Sequence, residues 1–129
     1  MEPLQGLWSP KANATWPRLI FLSDGRGFFE DGDAPAIYTV LHFSFEVKFG
    51  RILACSDTKI QSLSDDKKRT EWQTSTELNG EFEFTLDMFP GSGDTLITFL
   101  YAPYPFQYRQ YKLILREVSL SYAPAWKLA

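Results

Sequence analysis

Few side chains in this sequence have both a type and a spacing that could carry chemistry. His42 is the sole histidine, and a serine-histidine-aspartate relay would need partners that nothing in the sequence points to. Its neighbours at two-residue spacing are Val40 and Ser44, on the strand face opposite a phenylalanine stripe. Cys55 is the only cysteine, which excludes an internal disulfide and a cysteine-built zinc site and suits a reducing compartment. Asp31 and Asp33 flank Gly32, and Asp65 adjoins Asp66; both read as acidic turns, because the ligand spacing and terminal glutamate of a calcium loop are missing. Glu71, Glu77, Glu81 and Glu83 fall on strand faces that alternate with apolar residues, so each is expected to be a solvated charge. No glycine-rich phosphate loop opens a helix, since no helix is available. The expectation is a protein that is not an enzyme, with no catalytic residue, no metal and no cofactor.

What must position any site is a set of β-strands. Ile37, Thr39, Leu41, Phe43, Phe45, Val47 and Phe49 share one face of a period-two run, and Tyr38, Val40, His42, Ser44, Glu46 and Lys48 share the other. A helix would scatter both sets around its circumference. Turn signals surround this run at the spacing of an antiparallel meander. Leu7-Trp8 is a short first strand closed by Pro10, and Arg18–Leu22 pairs with Phe28–Glu30 across Asp24-Gly25. The long strand turns at Gly50 into Arg51–Cys55, and Ser62–Lys68 is an exposed loop. Glu71–Leu78 and Glu81–Met88 are expected to form a hairpin across Asn79-Gly80, the strongest short-range hairpin signal. Pro90–Asp94 leads into Thr95–Tyr101, and Pro103 and Pro105 precede a last strand over Tyr108–Leu120. Residues 119–129 read as a C-terminal tail. The fold class is therefore all-β: an up-and-down antiparallel meander of roughly eight to ten strands, closed into a barrel so that no edge is left open. Residues 1–129 make one such domain.

Charge and composition narrow the partners. The formal charge is −3, and apart from Lys67-Lys68-Arg69 the 13 basic residues are scattered, so nothing follows a phosphate backbone and nucleic acid is not expected. Hydrophobic residues at 44% and aromatics at 16% are ample for one packed core. No apolar run approaches the roughly 18 residues a membrane span needs. Met1-Glu2-Pro3-Leu4 has neither a basic nor an apolar leader region, so a cytoplasmic location is expected. The glycosylation sequon at Asn13-Ala14-Thr15 would matter only in a secreted chain.

Gly6-Leu7-Trp8 matches the Gly-x-Trp that calycins, the small lipocalin-like barrels, carry on their first strand, and Arg116 falls in the last strand. The chain resembles a divergent member of that group. The resemblance implies that Arg116 packs over Trp8 by cation-π and hydrogen-bond contacts and shuts one end of the barrel. Fatty-acid-binding proteins have nearly this length, but Ser9 to Thr15 is too short for their helix pair.

In such a barrel Leu41, Phe43, Phe45 and Val47 point inward, facing sets from Phe82, Phe84, Leu86 and Met88, from Ile97, Phe99 and Tyr101, and from Tyr111, Leu113 and Leu115. Either these rings interdigitate as a solid core, or they leave a cavity of a few hundred Å³ between Phe43, Phe84, Phe99 and Tyr111. The candidate ligand-binding set is Phe43, Phe45, Phe84, Phe99, Tyr101, Arg109 and Tyr111, with Trp8 and Arg116 as structural closure. Arg109 and Tyr111 would orient the polar end of a ligand, and Thr39 and Thr98 are further inward polar candidates. Trp72, among Thr70, Thr74 and Thr76, is either part of a wetted lumen or an edge-strand aromatic. Tyr101–Tyr108 concentrates aromatics and prolines, as a mouth cover, a protein-docking patch or a loop folded back on the barrel. Two functions follow: binding of a small apolar or amphipathic molecule, or a filled barrel serving as a protein-interaction or structural module.

Overall fold

The computed structural model describes residues 4–10, 17–33, 37–62, 71–76, 78–101 and 109–121. Nine strands appear there: β1 (Gly6–Pro10), β2 (Arg18–Phe21), β3 (Arg26–Asp33), β4 (Ile37–Lys48), β5 (Ile52–Ser62), β6 (Gln73–Thr74), β7 (Gly80–Phe89), β8 (Asp94–Phe99) and β9 (Gln110–Leu115). Every pairing is antiparallel, and β1 pairs with both β2 and β9 while β4 pairs with β5. Eight strands therefore close into a barrel, and β6 is an extra strand on the far end of β5. The strands are staggered, because Phe84 stands beside Arg51 at the start of β5 and opposite Phe99 at the end of β8. Such stagger tilts the strands as closure requires.

Up-and-down order sorts the connections into two ends. The β2–β3, β4–β5 and β7–β8 turns share one end with the entry to β1 and the exit from β9. The other end collects the β1–β2, β3–β4, β5–β6 and β8–β9 connections.

Alternation along each strand makes the interior apolar. Trp8, Leu19, Phe21, Phe29, Leu41, Phe43, Phe45, Leu53, Phe84, Ile97, Phe99 and Tyr111 form one buried cluster, with Val47, Phe82, Leu86 and Leu113 packed against it. A second cluster lies on the opposite face of β2, β3 and β4, where Ile20, Leu22, Phe28 and Val40 are covered in part by Leu7 and Val118. The Arg26 guanidinium donates to the Leu120 carbonyl at 2.6 Å, holding the same segment against the wall. Glu30 is fully buried on this outer face and accepts from the Arg18 guanidinium at 2.7 Å.

Several boundaries differ from the expectation, each for a physical reason. β5 runs to Ser62 rather than stopping at Cys55, across a register irregularity and a positive φ of 52° at Asp57. Its polar second half was unreadable as a strand because neither face is apolar. Asn79-Gly80 is not a hairpin: β6 and β7 both pair with β5, and the Asn79 carboxamide oxygen accepts from the Thr58 backbone and hydroxyl. A tertiary contact overrides the local turn preference there. β9 ends at Leu115 instead of reaching Leu120; Val118 packs on the outer wall and the Leu120 carbonyl accepts from Arg26. Met88, Tyr101 and Leu115 were expected inward but are 76%, 79% and 53% exposed, because each lies at or past the end of its barrel stave. The sequon at 13–15, the Asp65-Asp66 and Lys67-Lys68-Arg69 stretches, residues 102–108 of the aromatic loop and the tail beyond 121 lie outside the described residues.

Candidate functional site

At one end of the barrel the residues just before β1 and just after β9 are tied to each other and to Trp8. Trp8 is fully buried, and its indole N–H donates to the Leu4 carbonyl at 2.9 Å. The Arg116 guanidinium donates to the neighbouring Gln5 carbonyl at 2.8 Å. Gly6 carries a φ of +138°, and a Cβ there would lie 2.6 Å from the Leu115 carbonyl and 2.7 Å from the Leu113 side chain. Only glycine lets β1 approach β9 this closely beneath the tryptophan. Gly6, Trp8 and Arg116 thus lie together at this end, with Arg116 bonding the Gln5 carbonyl next to the Leu4 carbonyl that holds Trp8.

Above that end the structure brings most of the sequence candidates together as packed rings. Phe43, Phe84, Phe99 and Tyr111 are all at most 1% exposed, and Phe45 is 7% exposed. Phe99 meets Phe84 edge-on at 6.5 Å and Tyr111 at 6.4 Å. Phe21 meets Phe43 at 6.2 Å and Phe45 at 4.8 Å, also edge-on. Such edge-to-face pairs each add about 0.5–1.5 kcal/mol beyond their burial. Phe84, Phe99 and Tyr111 thus make one edge-on set and Phe21, Phe43 and Phe45 another within the same buried cluster. Tyr101 stays outside this group, exposed at the opposite end from Trp8.

Cavities bounded by described residues lie in the wall. One of about 160 Å³ is bounded by Glu83, Phe84, Thr85, Thr98, Phe99, Leu100 and Arg109. Since Phe84 and Phe99 are buried, the accessible lining comes from the residues that alternate with them and from Arg109. Arg109 donates through Nε to the Phe99 carbonyl at 3.2 Å. Among the described residues that is the one partner of its guanidinium, and Arg109 as a whole is exposed. From sequence Glu83 reads only as a solvated charge and Thr85 only as part of the Glu81–Met88 strand. The signal for them was the Pro90–Asp94 turn, whose register sets Thr85 opposite Thr98.

A wider depression of about 500 Å³ crosses β4, β5 and β7, lined by Ser44, Phe45, Glu46, Lys48, Ala54, Cys55, Ser56, Gly80 and Glu81. Its charges are already partnered, with Lys48 Nζ 2.8 Å from Glu81, which also raises the lysine pKa. Burial pushes the Cys55 thiol up to about 12, in keeping with its place in the core. His42 lies on the outer wall between the Phe28 ring at 4.8 Å and Trp72 at 6.2 Å. That contact assigns Trp72 to the outside of the barrel. Among the described residues no three histidine, cysteine or carboxylate side chains cluster as a metal site would require. None of their helices is long and apolar enough to cross a membrane.

Comparison of the chain with protein-family models, with curated proteins and with solved structures returned no match.

Proposed function

We propose that this protein is a filled, non-catalytic β-barrel that works as a protein-interaction module through its outer surface. The observation that carries this reading is the pair of buried edge-on ring sets facing the barrel interior, Phe84 to Phe99 to Tyr111 and Phe43 to Phe21 to Phe45. Close contact elsewhere supports it: a Cβ on Gly27 would lie 2.4 Å from the Phe43 ring. The buried thiol of Cys55 fits a reducing, cytoplasmic setting.

A second reading, binding of an apolar or amphipathic molecule by a calycin-like barrel, is favoured by the meeting of Gly6, Trp8 and Arg116 at one end and by an exposed Arg109 near the other. A thermal-shift panel of fatty acids, retinoid-like and haem-like molecules separates the two, because a ligand at a hundred times its dissociation constant adds about 2.7 kcal/mol. The filled barrel gives no shift. Phe99→Ala serves as the control: it costs about 3–5 kcal/mol and opens an apolar void, so the variant is expected to respond to benzene or indole where the parent does not. A saturable shift of the parent by an amphiphile, weakened by Arg109→Gln, overturns the filled-barrel reading.

A further inference from the structure

We infer that β7 carries a docking edge for an extended segment of another protein, with a basic residue placed between apolar ones. The inference rests on the interaction-module reading and names the surface it would use. β7 pairs with β5 only through Gly80–Glu83, and Phe84 adds one bond to the Arg51 carbonyl at 2.9 Å. β8 accompanies β7 all the way to Phe89. Among the described residues, then, nothing pairs with Thr85–Phe89 on the side where β5 has ended.

The direction of each backbone group on that side follows from two bonds. Glu83 accepts from the Leu100 N–H at 3.0 Å, so it faces β8, whereas the Phe84 N–H faces β5. Alternation along an antiparallel strand then turns Thr85, Asp87 and Phe89 toward β8 and the N–H and C=O of Leu86 and Met88 toward the open side. Edges of this kind are usually blunted by lysine, proline or a covering loop. Here Met88 is 76% exposed and Phe89 47% exposed, and residues 85–89 include neither lysine nor proline.

The charge on the edge selects the occupant. A strand bonded to Leu86 and Met88 sets one residue directly opposite Asp87 in a non-hydrogen-bonded pair, about 4.5 Å away between Cα atoms. Asp87 is exposed and among the described residues forms no ion pair, so a lysine or arginine is favoured there and apolar residues on either side of it. A second copy of this chain is disfavoured, since pairing the same two residues of each copy confronts Asp87 with Asp87.

Amide hydrogen exchange on the whole protein tests this, using a short capped valine-rich peptide with a central lysine and its counterpart with a central glutamate. The lysine peptide is expected to slow exchange at Leu86 and Met88 at least ~10-fold at saturation while leaving Thr85 and Asp87, already bonded to β8, unchanged. Met88→Pro, which removes no bond to β8, should abolish that protection, and Asp87→Lys should shift it to the glutamate peptide. Protection that ignores both variants, that falls elsewhere, or that never appears overturns the inference. So does concentration-dependent protection of the same amides without peptide, which assigns the edge to a second copy. Failure of the interaction-module reading shows separately, as a ligand shift in the thermal panel.

Discussion

At Gly27 the barrel has no room for one further carbon. The residue faces inward on β3 directly across from Phe43, and an added Cβ would meet that ring at 2.4 Å and 2.5 Å. Gly27→Ala is expected to cost about 1–3 kcal/mol, read as a lower urea midpoint at unchanged slope, and Phe43→Leu in the same chain should recover part of it. His42 makes a different prediction. Burial lowers its pKa from the ordinary 6.5, assisted by Arg26 on β3 and Lys59 on β5 and opposed by Asp24 in the β2–β3 turn. The unfolded chain therefore binds the proton more readily than the folded one, and stability should fall as pH drops below about 6.5. A denaturation midpoint measured across that range checks this, and His42→Gln should flatten the slope.

At the scale of elements, long runs with one apolar face were legible and short or polar ones were not. Ile37–Lys48 forms the strand that its alternation announces, because Leu41, Phe43, Phe45 and Val47 on one face meet the core. The half of β5 after Cys55 was hidden, since Ser56, Asp57 and Lys59 are exposed and carry no period. Asn79-Gly80 shows the reverse error, a strong local signal spent on a tertiary contact. Thr58 is 1% exposed, and the Asn79 side chain accepts from both its N–H and its hydroxyl. Asn79→Ala should therefore cost about 1–3 kcal/mol through the two donors it strands. Asn79→Asp, which keeps the acceptor, should cost less by the same denaturation assay.

For the whole molecule, closure is what turns separate staves into a site or denies one. The inward faces of β4, β7, β8 and β9 were readable one strand at a time, and so were Phe43, Phe45, Phe84, Phe99 and Tyr111 as interior residues. Their relation to one another was not, because ring-to-ring distance depends on stagger between strands and not on spacing within one. By itself the sequence determined an all-β chain and its long strand over Ile37–Lys48, since period and residue type are local properties. Tertiary structure alone decided that Phe99 meets Phe84 and Tyr111 while Phe21 meets Phe43 and Phe45, that Leu7 and Val118 partly cover an outer apolar face, and that β7 outruns β5, leaving Leu86 and Met88 on an edge unpaired among the described residues. Each of those depends on where a barrel of tilted strands brings distant residues, and no single segment encodes that geometry.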